Sequence, residues 1–224
     1  TAFRLDNDIK IVTLDEGTEY RSRTVVIAAG GQPRRLGVEG EDALSGMGVS
    51  YCATCDGAFF KNKTVAVVGG GDVAVEDAIF LSRICEKVYV IHRRDQFRAV
   101  KSSVNKLMAL KNVTVLWDSV VEKINGTETV ESLDIKNVKT GEASNIEVAG
   151  VFIAIGYIPN SQIFKHIVAT DDQGYIIAGE NCETNVPGVF AAGDIRTKEL
   201  RQIITAASDG ANAITAVEKY LNNI

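Results

Sequence analysis

Cys52 and Cys55 stand three positions apart in Tyr51-Cys52-Ala53-Thr54-Cys55-Asp56-Gly57, with a carboxylate beside the second thiol. Two thiols at this spacing can share a metal ion or close a redox disulfide. A structural zinc site usually takes four ligands, commonly as two close pairs. The other cysteines, Cys85 and Cys182, and the only histidines, His92 and His166, are isolated along the chain. With no second ligand pair, no metal is expected. A C-x-x-C near a βαβ pattern reads instead as a redox disulfide, placed here near a helix start around Thr54. Thiol–disulfide exchange must protonate a leaving thiolate, and Asp56 beside Cys55 is the group expected to give and take that proton.

A βαβ pattern does follow. Lys63 to Val68 is a continuous apolar run, the mark of a buried parallel strand. Gly69-x-Gly71-x-x-Ala74 comes next, and helical spacing runs from Asp72 to Cys85. Val88–Ile91 reads as a second strand, Ala99–Leu110 as a second helix and Val113–Leu116 as a third strand. This is the mononucleotide-binding half of a doubly wound α/β fold. From Ser119 to Ile146 the apolar residues alternate between hairpin signals at Asn125-Gly126 and Thr140-Gly141, which predicts antiparallel strands. Val151–Gly156, Thr24–Ala29 and Gly188–Asp194 read as further buried strands, and Gln202–Asn222 as a helix.

The glycine loop predicts dinucleotide binding at Gly69, Gly71, Asp72 and Val73. The first glycine permits a tight turn, and the second lets a pyrophosphate reach the free N–H groups of the helix start. An NAD site would carry an acid at the end of the second strand. This chain has His92-Arg93-Arg94-Asp95-Gln96-Phe97-Arg98 there. Arg93, Arg94 and Arg98 offer guanidinium donors to a 2′-phosphate, so NADPH is the expected cofactor.

Composition sets the outer bounds. The chain has 224 residues, 46% hydrophobic and 24% charged, enough to bury a core without disorder. A net charge of -5 argues against a general nucleic-acid or membrane-surface partner. No apolar run is long enough to cross a bilayer, and four cysteines in a chain this long do not make a disulfide scaffold. A reducing, cytoplasmic setting is expected.

A nicotinamide carries a hydride and a disulfide accepts two electrons, and a flavin normally relays between them. With Cys52–Gly57, the Gly69 loop and His92–Arg98, the stretches Ala154-Ile155-Gly156-Tyr157-x-Pro159-Asn160, Gly188–Asp194 and Arg201-Gln202 complete a pattern. It resembles the low-molecular-weight bacterial thioredoxin reductases over essentially all 224 residues. The resemblance implies an FAD- and NADPH-dependent homodimer that reduces thioredoxin. By that likeness Cys52 and Cys55 form the redox disulfide, Cys55 lies nearer the flavin, and Cys52 attacks thioredoxin. Ile155 and Gly156 join the cofactor-binding set, and Gly193, Asp194, Arg201, Gln202 and Ile203 line the flavin.

The same likeness implies two dinucleotide-binding, Rossmann-like domains with the NADP domain inserted in the FAD domain. Residues 1–33 and 157–224 would be parts of the FAD domain, and residues 34–156 the NADP domain. Only one G-x-G-x-x-A is present, so residues 1–224 by themselves are expected to lack the first βαβ of the FAD domain and to be inactive. The alternatives are an NADP-binding module without turnover, a flavoprotein reductase of the alkyl hydroperoxide reductase type, and a thiol redox sensor. The three arginines speak against the second, which is expected to use NADH.

Overall fold

The computed structural model describes residues 1–224. They divide into two units, residues 1–32 with 157–224 and residues 33–156. The first unit opens with an antiparallel sheet of β1 (Ala2–Asp6), β2 (Ile9–Thr13) and β3 (Glu19–Ser22). Strand β1 has no counterpart in the sequence reading. Phe3 is its only buried residue, so the segment shows too little alternation to be seen locally. Two short strands follow, β4 (Val25–Ile27) and β5 (Gly31–Pro33).

In the second unit the elements run β6 (Val49–Ser50), α1 (Ala53–Asp56), β7 (Thr64–Gly69), α2 (Asp72–Leu81), β8 (Lys87–Ile91), α3 (Lys101–Met108) and β9 (Val113–Leu116). Then come β10 (Ser119–Asn125), β11 (Ser132–Asn137), β12 (Ala143–Glu147) and β13 (Gly150–Ala154). Five strands form a parallel sheet in the order β6-β13-β7-β8-β9, while β10, β11 and β12 form a separate antiparallel sheet.

The period of two along β7 explains the layering. Val65 and Val67 pack with Ala74, Val75, Ala78 and Leu81 of α2 and Leu107 of α3. Ala66 and Val68 pack on the other face with Val121, Ile124, Leu133 and Ile135 of the antiparallel sheet. A parallel sheet must be covered on both sides, which is why β7 reads as an unbroken apolar run. Each fully buried valine contributes about 1.5–3 kcal/mol relative to exposure.

Two helix boundaries differ from the sequence reading for local reasons. Helix α2 stops at Leu81, not Cys85. The Ser82 hydroxyl donates to the Ile79 carbonyl at 2.8 Å, and the bonds from Arg83 N–H to Phe80 and from Ile84 N–H to Leu81 tighten the end. Helix α3 starts at Lys101, not Ala99. The Arg98 N–H donates to the Gly70 carbonyl at 2.8 Å and the Val100 N–H to Asp72 Oδ1 at 2.7 Å, which tie residues 98–100 to the glycine loop.

The chain returns to the first unit through β14 (Tyr157–Pro159), which pairs with β5. Strand β15 (Val189–Ala191) pairs in parallel with β4, and α4 (Ile203–Leu221) closes the unit. Gln202 and Thr205 form a reciprocal capping box at its start. No helix is long and apolar enough to cross a membrane.

Candidate functional site

Cys52 and Cys55 form a disulfide with their Cα atoms 5.3 Å apart. Cys52 caps the short helix α1, and its Sγ accepts the Cys55 N–H at 3.2 Å and lies 3.4 Å from Thr54 Oγ1. Cys55 is exposed and Cys52 half-buried, so an outside partner can reach the bond. Asp56 is half-buried, and its Oδ2 accepts the Ser50 hydroxyl at 2.6 Å. Cys85 and Cys182 are buried free thiols, and burial pushes Cys85 up to about 11. Neither is a nucleophile at neutral pH.

The nucleotide loop sits at the carboxyl ends of the central strands, where open α/β sheets take their ligands. Gly69 has a φ of 155°, and a methyl group there would strike the Ala154 carbonyl and Ala74. This is a close approach of β13 and α2 that only glycine allows. Gly71 is the N-cap of α2, and the space over its Cα is open. The first-turn N–H groups of α2 are therefore free of a side-chain cap, as an incoming pyrophosphate needs. Val73 on that turn is exposed. Ile155 and Gly156 continue from Ala154, which pairs with Gly69, so they border the same strand ends.

His92 sits beneath this loop. It is buried, stacked 5.6 Å from Phe97, and fills the space a side chain on Gly70 would need. Its Nε2 lies 3.0 Å from the Gln96 carbonyl, which fixes the proton on that nitrogen. Burial, with the charges of Arg98, Arg94 and Arg93, lowers its pKa, so the ring is neutral at pH 7. The structure thus gives His92 the geometry of a support for the loop. Arg93, Arg94 and Arg98 are exposed and line a cleft of about 280 Å³ with Asp95, Asp118 and Lys139. Lys139 bridges Asp118 at 3.1 Å and Asp95 at 3.4 Å. It enters from the β11–β12 connection, which sequence spacing could not link to the arginines. The open α2 start and this cationic cleft fit NADPH.

In the other unit, Gly193 has a φ of 77°, and its N–H donates to Asp209 Oδ2 at 2.8 Å. Asp209 is buried within α4 and also accepts Arg196 through Nε at 2.7 Å and Nη2 at 2.6 Å, and Lys198 at 2.9 Å. Burial alone would raise its carboxyl, but the hydrogen bonds from Arg196, Lys198 and Gly193 outweigh it and hold the pKa at about 2. Sequence reasoning missed this cluster. The available signal was Asp209 sharing the buried stripe of Ala213 and Ala216 at helical spacing. Asp194 follows Gly193, and its Oδ1 is buried with no partner, as is Arg201 Nε. Arg201 stacks over Tyr175 at 3.9 Å from the ring centre. An unpaired buried acceptor and an unpaired buried donor call for a polar group to complete them. The ribityl hydroxyls and ring acceptors of a flavin supply both, so these residues fit FAD. Gln202 caps α4, and Ile203 beside it is 91% exposed.

A parallel nucleotide-binding sheet with an attached Cys-x-x-Cys disulfide defines a class of flavoprotein disulfide reductases. The family model for pyridine nucleotide-disulphide oxidoreductases matches residues 1–210. The thioredoxin reductase of Peptoclostridium acidaminophilum is 49% identical over 223 residues, covering 97% of this chain and 70% of that protein. That of Streptomyces coelicolor is 45% identical over 221 residues, covering 98% and 69%. The crystal structure of thioredoxin reductase from Streptococcus pyogenes superposes with a TM-score of 0.93 at 45% identity, covering 100% of this chain and 73% of that one. The chain belongs to the thioredoxin reductases of the pyridine nucleotide-disulphide oxidoreductase family.

Proposed function

We propose that the chain carries the NADPH site and the working disulfide of a thioredoxin-disulfide reductase, both in residues 33–156, and that residues 1–224 by themselves do not turn over NADPH. The observation behind this reading is that Cys52–Cys55 is built into the same unit as the open glycine loop and the arginine cleft. Residues 1–32 and 157–224 are read as FAD-domain segments, on the strength of the unpaired Asp194 and Arg201 atoms. When bound, FAD relays the electron pair of NADPH to the disulfide.

The chain's own residues divide the work. The α2 start and Gly69–Gly71 receive the pyrophosphate, with Ile155 and Gly156 bordering it. Arg93, Arg94 and Arg98 take the 2′-phosphate. Asp194, Arg201, Gln202 and Ile203, with the Gly193 backbone, face the flavin. Cys52 is the attacking thiolate: the Cys55 N–H and the Thr54 hydroxyl both stand where they stabilise charge on its sulfur. Asp56 exchanges the proton. The reading includes a homodimer, favoured by the exposed Leu200 and Ile204, and a cytoplasmic setting, where thioredoxin is kept as a reductant.

The test needs no flavin. The chain is reduced chemically, freed of reductant and mixed with oxidised thioredoxin, and the thioredoxin thiols are counted after acid quenching and alkylation. Transfer of one electron pair per chain is expected, and Asp56→Asn is expected to slow it by about tenfold or more. No transfer from the unsubstituted dithiol would refute the reading.

A further inference from the structure

Ser50 touches both parts of the exchange centre. It ends the edge strand β6, is 5% exposed, and precedes the disulfide by two residues. The Cys52 N–H donates to Ser50 Oγ at 3.1 Å, and Ser50 Oγ donates to Asp56 Oδ2 at 2.6 Å. A serine hydroxyl has a single proton. Two acceptors compete for that proton, the Cys52 carbonyl at 3.4 Å and Asp56 Oδ2 at 2.6 Å, and the much shorter contact takes it. Hydrogen bonds to a carboxylate are the short, strong kind, and 2.6 Å falls in that class.

We propose that Ser50 is a positioning residue for proton transfer at the disulfide: it holds Oδ2 of Asp56, so that Oδ1 alone carries the exchanged proton. This rests on the reading of Cys52–Cys55 as the thioredoxin-reducing pair. In the first step Asp56 Oδ1 takes the proton of the Cys52 thiol, and the resulting thiolate attacks a sulfur of the thioredoxin disulfide. A mixed disulfide forms, the thioredoxin S–S bond breaks, and the leaving thiolate takes the proton from Asp56 Oδ1. In the second step Asp56 Oδ1 takes the proton of the Cys55 thiol. The Cys55 thiolate attacks Cys52 Sγ, the Cys52–Cys55 bond closes, and the second thioredoxin thiolate leaves. Oδ1 hands that proton to the departing thiolate, so two electrons and two protons pass from the dithiol to thioredoxin and Asp56 ends in the state in which it began. Oδ2 stays bonded to Ser50 whether or not Oδ1 carries the proton. The carboxyl group therefore cannot rotate its proton away from the sulfurs.

The test is a double-mutant cycle on single-turnover reduction of oxidised thioredoxin by the chemically reduced chain, without flavin. Ser50→Ala is expected to slow transfer by about tenfold in the unsubstituted chain and by less than about twofold in the Asp56→Asn background, since coupled residues are non-additive. Ser50→Thr, which keeps the hydroxyl, is expected to recover most of the rate. An unchanged rate in Ser50→Ala, or the same fold loss in both backgrounds, overturns the proposal while leaving the functional reading intact. If the extra methyl of Ser50→Thr is not accommodated, the cycle decides alone. Failure of the unsubstituted dithiol to reduce thioredoxin would instead sink the functional reading, and this proposal with it.

Discussion

Replacing Arg93 and Arg94 together with alanine is expected to remove most of the preference of the chain for NADPH over NADH. The two cofactors differ only in the 2′-phosphate, so only contacts to that group can discriminate. Both guanidiniums are exposed on the wall of one cleft, with Arg98 beside them. Each charge-assisted contact to a phosphate is worth about 1.5–3 kcal/mol. Losing two therefore weakens NADPH binding by roughly 10²–10⁴-fold, with the lower end favoured because the site faces water. NADH, which never used them, should bind nearly as before. Titration calorimetry of both cofactors against the double variant reads this directly. Equal weakening of both would assign the arginines to the pyrophosphate or to the fold. The cleft also sets a salt dependence, since Asp95 and Asp118 occupy Lys139 and leave the three arginines for an anion.

The second large effect is expected at Asp209, for stability. One buried carboxylate satisfies Arg196, Lys198 and the Gly193 N–H, so Asp209→Ala strands two cations and a backbone donor together. Breaking a buried pair on one side costs about 3–5 kcal/mol. The pH sign follows from the direction of the shift. The folded carboxyl sits at about 2, below its ordinary value of 3.8. Its contribution is full above pH 4 and is lost as pH falls from about 4 through 2, a loss of about 2 kcal/mol. Cys182 gives a local probe, because it is fully buried with its thiol 3.4 Å from the Asp209 carbonyl. Urea titration read by alkylation of the Cys182 peptide should show an early transition in Asp209→Ala and a smaller acid-dependent shift between pH 4 and 2 than in the unsubstituted chain. A transition at the original urea concentration would show that the cluster contributes nothing net.

What the sequence revealed depended on how far apart the interacting residues lie. The unbroken apolar run of β7, the glycine loop and the arginines after β8 are local patterns, and each appears where its hydrophobicity and turn chemistry put it. The three antiparallel strands β10 to β12 were readable because Asn125-Gly126 and Thr140-Gly141 mark turns between alternating runs. Strands β6 and β5 were not, being two and three residues long and ordered by partners far along the chain. The same limit applies to the site. Cys52, Cys55 and Asp56 are neighbours in sequence, but Lys139 reaches Asp95 across 44 positions and Asp209 reaches Arg196 across 13. His92 opens the motif His92–Arg98 and so counts in sequence among the expected cofactor residues. Its burial against Gly70 is a tertiary fact that adjacency cannot show.

The division of labour between the two thiols is tested most directly by a trapping experiment. In Cys55→Ser the closing thiol is gone, so attack by Cys52 on oxidised thioredoxin must stop at the mixed disulfide. A stable one-to-one covalent adduct through Cys52 is expected, visible by mass spectrometry and released by dithiothreitol, with only a trace of adduct from Cys52→Ser. Adduct forming equally from both variants, or from neither, would contradict the claim that Cys52–Cys55 is the bond that delivers electrons to thioredoxin through Cys52.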